Sequence, residues 1–334
     1  MMYRIALGLA LTLTRIAGGQ TPVAPCVEKS GALSSFEFAS NPWLNLNNFL
    51  IKQAKHRRGI EDDGLGARGY TSEDTAALRP LTAAETADWN AAVDFFVRVV
   101  VPDRLVLDSI VQNVNNVLAR ATPNGDLDDA RLPSEFRRVM QTAMPIYRSA
   151  WWPVHDRRNQ EWIASMRAAL GDREACFAQR AARVLRSPWP AAPIHVDATV
   201  YASWFGAYST DHPTHITVSA NARGSQGRSG VEILLHETAH SMLGPLDSAL
   251  AQEAARRHKT LPSPLSHLVL FYTAGSLMRE WETAYVPFAD EFGIWRQNKF
   301  AERYHDWIEQ TWQPYLSGSC TFDDAVTSLI DRLP

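Results

Sequence analysis

The residues of this chain best suited to chemistry are His236-Glu237-Thr238-Ala239-His240, which follow the apolar run Val231-Glu232-Ile233-Leu234-Leu235. On a helix, positions four apart lie slightly more than one turn apart, so both imidazoles leave the same face. Two neutral imidazole nitrogens on one face suit a zinc ion at about 2.0 Å each and leave room for a third protein ligand and a water. The metal lowers the pKa of that water toward about 7, and Glu237 beside it can take the proton as a polarised carbonyl is attacked. Glu237 then passes the proton to the leaving amine. The spacing therefore points to metal-assisted hydrolysis, with Zn2+ as cofactor, His236 and His240 as metal ligands and Glu237 as general base. The bland alternative is a surface helix carrying two incidental histidines. A zinc that only staples helices is a third reading, and Glu237 speaks against it, since a structural site needs no carboxylate beside an open coordination position.

Such a motif needs a helix with an apolar back and a chain that delivers it. The polar segment 221–230 holds three glycines and leads into the motif helix. Before it, residues 194–201 and 214–219 read as strands, the second alternating His215, Thr217 and Ser219 with Ile216 and Val218. A small antiparallel sheet is expected. From Asn41 to about Arg186 the pattern is helical. Thr82-Ala83-Ala84-Glu85 is a capping box, and it opens a helix whose Trp89, Val93, Phe96, Val97 and Val100 share a core-facing stripe until Pro102 ends or kinks it. Further helices are expected over 105–120, 133–144, 145–170 and 174–186. Ser187-Pro188-Trp189-Pro190 stops helix formation and suggests a boundary. The expected fold class is α+β and predominantly helical, with a mostly helical N-terminal region over 20–190 and a catalytic region with C-terminal helices over 191–334.

Composition excludes some functions and permits others. The 334 residues are 46% hydrophobic and 21% charged with a net charge of −3, so a globular core is affordable and no basic cluster offers itself to nucleic acid. Arg4, the apolar stretch 5–14 and Ala17-Gly18-Gly19 read as a secretory signal over 1–19. That stretch is about half the roughly 20 residues needed to span a bilayer, and Arg15 closes it, so no stable membrane span is expected after signal removal. Pro25 occupies the position before Cys26 where a lipoprotein signal wants a small residue. A secreted or periplasmic protein follows. In an oxidising compartment Cys26, Cys176 and Cys320 would give one disulfide and one buried thiol, and their wide separation argues against a cysteine metal site.

Strand, loop and a helix reading Val-Glu-Ile-Leu-Leu-His-Glu-Thr-Ala-His resemble the zincin metallopeptidases over residues 191–285. The resemblance implies a small sheet beside the active-site helix, hydrolysis of peptide bonds, and a peptide or protein as substrate. The alternative within enzymes is a zinc hydrolase of a non-peptide amide or ester. Leu243 and Leu246 stand where the metzincin branch carries a glycine and a third histidine, which excludes that branch. No asparagine-glutamate motif of the thermolysin type is present.

The third ligand must come from downstream, where Glu253, His267, Glu280 and Glu282 are available. Glu253 belongs to a charged run that reads as a solvated helix face. His267 follows Ser263-Pro264, a helix cap and first position, and is the single strongly polar side chain among Leu265, Leu268, Val269, Leu270 and Phe271. An imidazole buried there needs a partner, either a metal or a backbone carbonyl. His267 is preferred, with Glu280 as the rival that the resemblance suggests. Zincins also use a tyrosine or histidine as oxyanion donor, a role for which Tyr272 is the first choice and Tyr208, His212 and His215 are competitors. The resemblance further implies that an edge strand near the active helix binds extended substrate, which would fall to residues 214–219.

Overall fold

The computed structural model describes residues 34–60, 76–101, 109–129, 131–171, 174–202, 206–210, 214–296 and 299–334. The signal-like segment, Cys26 and His212 lie outside them. The architecture is mostly helical with one small mixed sheet. A strand β1 (Phe36–Ala39) precedes the helices α1 (Pro42–Arg57), α2 (Ala83–Phe95), α3 (Ser109–Arg120), α4 (Ser134–Ala150), α5 (Trp152–Leu170) and α6 (Glu174–Val184). Strands β2 (Ile194–Thr199), β3 (Ala207–Thr210) and β4 (His215–Ser219) follow, then α7 (Gly227–His240), α8 (Gly244–Arg256), α9 (Leu265–Trp281), α10 (Phe288–Glu291), α11 (Lys299–Leu316) and α12 (Phe322–Asp331). No helix among the described residues is long and apolar enough to cross a membrane.

Local chemistry explains several of these elements. Asn41 caps α1 by accepting from Trp43 N, with Pro42 at the first turn, where a missing N–H costs nothing. The capping box at Thr82 and Glu85 forms, and Trp89, Val93 and Phe96 are buried while Val97 and Val100 pack against the same core. The expected break before Pro145 does not occur. Helix α4 runs through that proline to Ala150, because the buried side chains of Met144, Ile146 and Tyr147 hold it in place, and the chain breaks instead at Trp151.

The sheet corrects the antiparallel expectation. Its order is β1-β2-β4-β3, with β1 parallel to β2, β2 parallel to β4, and only β3 antiparallel to its neighbour. A strand from before the helical region thus pairs with one from after it, a long-range contact that no local pattern encodes. Strand β4 lies between β2 and β3, so both of its hydrogen-bonding edges are filled and residues 214–219 cannot accept a substrate strand.

The two faces of the sheet differ sharply. Ile194, Val196, Ala198, Ile216 and Val218 join one core with residues of α5 to α12. Asp197, Thr199, His215, Thr217, Ser219, Tyr208 and Thr210 share the opposite face and are buried as well. Helices α1 and α3 cover that polar layer. Asn45 Nδ2 donates to Ala198 O (3.0 Å) while its Oδ1 accepts from Val200 N (3.2 Å), and Thr210 Oγ1 donates to Asn116 Oδ1 (2.8 Å). Alternation in β4 therefore marks two buried surfaces, one apolar and one polar, rather than a wet face.

Helix α7 enters the apolar core at one tightly fitted point. Trp162 Nε1 of α5 donates to Ser225 O (2.6 Å), and a Cβ on Gly230 would stand 2.3 Å from that same oxygen and 3.0 Å from Met166 Sδ. Only glycine lets the first turn of α7 approach the loop and α5 this closely. Gly230→Ala should therefore destabilise the protein by about 1–3 kcal/mol. Gly244→Ala, whose added methyl meets nothing within 4 Å, should stay within about 0.5 kcal/mol of wild type, as read by thermal or denaturant unfolding.

Candidate metal centre

Helix α7 is buried from Ser229 to Ala239, with Val231, Leu234, Leu235 and Ala239 in the core beneath the sheet. Helix α9 packs against it. Leu265, Leu268, Val269, Leu270 and Phe271 are all buried, as the apolar pattern around His267 requires. The expected Ser263 cap is not made: Pro264 occupies the N-cap position and no side chain caps the helix. Phe271 stacks on His236 with ring centroids 4.0 Å apart, and one turn further along each helix a Cβ on Gly275 would lie 3.4 Å from Glu232 Oε1. These matched steps in opposite directions mean that α7 and α9 run antiparallel through the site.

This packing gathers His236, His240 and His267 into one group whose ligand atoms all lie within 4.8 Å of one another. Ring centroids are 4.8 Å apart for His236 and His240, 5.1 Å for His236 and His267, and 4.9 Å for His240 and His267. Nε2 of His236 is 3.1 Å from Nε2 of His267. Two nitrogens each about 2.05 Å from a tetrahedral zinc would stand roughly 3.3 Å apart, so the His236–His267 spacing fits a shared ion, and His240 lies close enough to join it with a small side-chain adjustment.

Electrostatics favour the neutral, metal-binding form of His236 and His267. Burial, reinforced by the neighbouring His240 and His267, holds His236 well below the usual histidine range. Burial, with His240 beside it, lowers His267 to about 3. Imidazole nitrogens gathered this closely can form a donor set for a borderline cation, and imidazole nitrogen is an established zinc ligand. The residues present thus fit the ion that the motif implies.

Glu237 leaves α7 about 100° round from His236 and is buried, with 8% of its surface exposed. It does not belong to the group of three histidines that could hold an ion. Leu246, at the position where another branch would place a ligand, is fully buried in the core.

The other sequence candidates are engaged elsewhere. Glu280 forms a bidentate ion pair with Arg180 of α6, at 2.9 Å to Nε and 2.8 Å to a terminal nitrogen. Glu253 pairs with Arg256 and Arg257, and Glu282 with Arg228 at 3.0 Å. Tyr272 donates its hydroxyl to Gln313 Oε1 on α11 (3.0 Å), with its ring beside His305, so that hydroxyl is held by α11 rather than by the imidazoles. Tyr208 and His215 belong to the polar face of the sheet, turned away from α7. His215 Nε2 is bonded there to Asp197 Oδ2 at 2.9 Å, and burial pushes the Tyr208 phenol up to about 12.

Glu232 was passed over in the sequence. It lies four residues before His236 on α7 and is buried to 1% exposure. Its Oε2 accepts from Tyr285 OH (2.6 Å) and Phe288 N (2.8 Å), and burial raises its carboxyl to about 7 against those two bonds. The signal was present, because Glu232 is the single charged residue in an apolar turn, the same anomaly that singled out His267. Comparison with protein families, curated proteins and solved structures finds no match to this chain.

Zinc titrated into the metal-free protein should bind at one equivalent and raise the melting temperature. His267→Ala should weaken zinc binding by at least about 100-fold, while Glu280→Gln, which removes only an exposed ion pair, should leave it within about threefold; chelator competition measures both.

Proposed function

We propose that the chain is an exported zinc metallopeptidase of the zincin type, with His236, His240 and His267 holding the metal and Glu237 as general base. The observation that carries this reading is the convergence of three imidazoles from α7 and α9, with a 3.1 Å approach between two Nε2 atoms, in the same turn as a buried glutamate that is no part of the ligand group. Three neutral protein ligands leave a fourth position open, the arrangement of a catalytic rather than a structural site.

A zinc ion held there supplies a Lewis acid that polarises the substrate carbonyl and lowers the pKa of a water toward about 7. The chain's own residues do the rest. Stacking of Phe271 on His236 fixes that ring's plane, and the core beneath α7 fixes the spacing of the two motif histidines. Glu237 takes a proton from the attacking water on its carboxylate and returns it to the departing nitrogen, so no net proton is lost from the enzyme.

Substrate binding is assigned to β3. It is an edge strand of the sheet and packs against α7, which supports a role in pairing with extended peptide by main-chain hydrogen bonds. An oxidising compartment is supported by Cys176, which is disulfide-bonded, while Cys320 is a free thiol.

The decisive variant is Glu237→Gln. It should keep zinc within about threefold of wild-type affinity and lose cleavage of a mixed peptide library by about 10²–10⁴-fold. A variant that cleaves as fast as wild type would remove Glu237 from the mechanism, and a wild type without bound zinc would remove the mechanism itself.

A further inference from the structure

Two buried polar atoms on α7 lack a hydrogen-bond partner among the described residues, and they sit one helical turn apart: Glu232 Oε1 and His236 Nδ1. Positions four apart share a helix face, so a small side-chain rotation would join these two atoms, which are not bonded to each other in this structure. The environment narrows the alternatives. Glu232 Oε1 lies toward Gly275 in the seam between α7 and α9, and the His236 ring lies in the same seam against Phe271. Glu232 Oε2 is already committed to Tyr285 OH and Phe288 N, which leaves Oε1 as the unused acceptor.

A neutral imidazole carries one N–H. When His236 offers Nε2 to a metal, that proton must reside on Nδ1, and a buried N–H without an acceptor costs free energy. We infer that Glu232 is the positioning residue of the metal centre, its Oε1 accepting from His236 Nδ1–H and thereby fixing both the tautomer and the ring angle of that ligand. Carboxylates bonded to the outer nitrogen of a ligating histidine raise its basicity and hold its orientation. Glu232 also links the site to the chain beyond α9: Tyr285 and Phe288 N anchor the other carboxylate oxygen, and Pro287 packs on Gly275 so closely that an added Cβ there would stand 2.5 Å from it. The inference rests on the zinc reading of the three histidines.

A purely structural role, anchoring Tyr285 and Phe288, is the competing explanation, and two substitutions separate them. In Glu232→Gln the single amide oxygen is claimed by the two donors at the Oε2 position, so an NH2 group faces His236 Nδ1–H, donor against donor. Tyr285→Phe weakens the same anchor but leaves Oε1 intact. Zinc affinity, measured by chelator competition on the full chain, should fall about 10–100-fold in Glu232→Gln and stay within about threefold in Tyr285→Phe. Equal losses in both variants, or none in Glu232→Gln while wild type binds zinc, would overturn the positioning role alone. Absence of zinc binding by wild type would instead overturn the reading beneath it. A measurement on wild type guards against misfolding of the variants: in the zinc-loaded protein, nitrogen-15 NMR should show a hydrogen-bonded His236 Nδ1–H protected from solvent exchange. A freely exchanging or absent Nδ1 proton would contradict the assignment.

Discussion

Three imidazoles brought together in the seam between α7 and α9 are the constraint around which this molecule is organised. Imidazole nitrogens gathered within 4.8 Å, one ring fully buried and two half-buried, repel one another where lone pair faces lone pair unless a cation, or a shared proton, lies between them. Burial has already removed the option of ordinary protonation at neutral pH for His236 and His267. A divalent ion bound there would resolve the conflict without charging any ring, and its attraction to three imidazole nitrogens would offset the cost of gathering them.

The surrounding packing serves that convergence. Gly230 and the Trp162 bond to Ser225 O set where α7 begins, and the apolar face of the sheet sets its depth. Phe271 sets the facing of α9, and Gly275 admits Pro287 and with it the segment that carries Tyr285 and Phe288. Glu232 lies at the meeting point of these elements. The sheet divides the interior into an apolar half that supports the site and a polar half in which Asn45 of α1 bonds to the end of β2 and Asn116 of α3 bonds to Thr210 of β3.

Local signals in the sequence were legible where the physics is local. The capping box at Thr82, the helical stripe behind it and the two motif histidines each depend on residues within a few positions. His267 could be picked out because one polar side chain on an apolar helix is anomalous, and the same argument applied to Glu232 would have found the carboxylate missed. Long-range pairing was not legible. Nothing near Phe36–Ala39 announces a parallel partner at Ile194–Thr199, and the alternation in β4 looks the same whether its polar side meets water or is buried. Pro145 misled because its local preference was outweighed by the burial of its neighbours, whereas the divergence of Tyr272 from His267, five residues apart on one helix, is legible in the spacing, and the structure adds the bond to Gln313.

X-ray absorption at the zinc edge of the metal-loaded protein tests the central claim most directly. Three nitrogen neighbours at about 2.0 Å with the multiple scattering of imidazole rings, and one further light atom, are expected. A spectrum with fewer than three imidazoles, with sulfur in the first shell, or a protein that holds no zinc after gel filtration would contradict it.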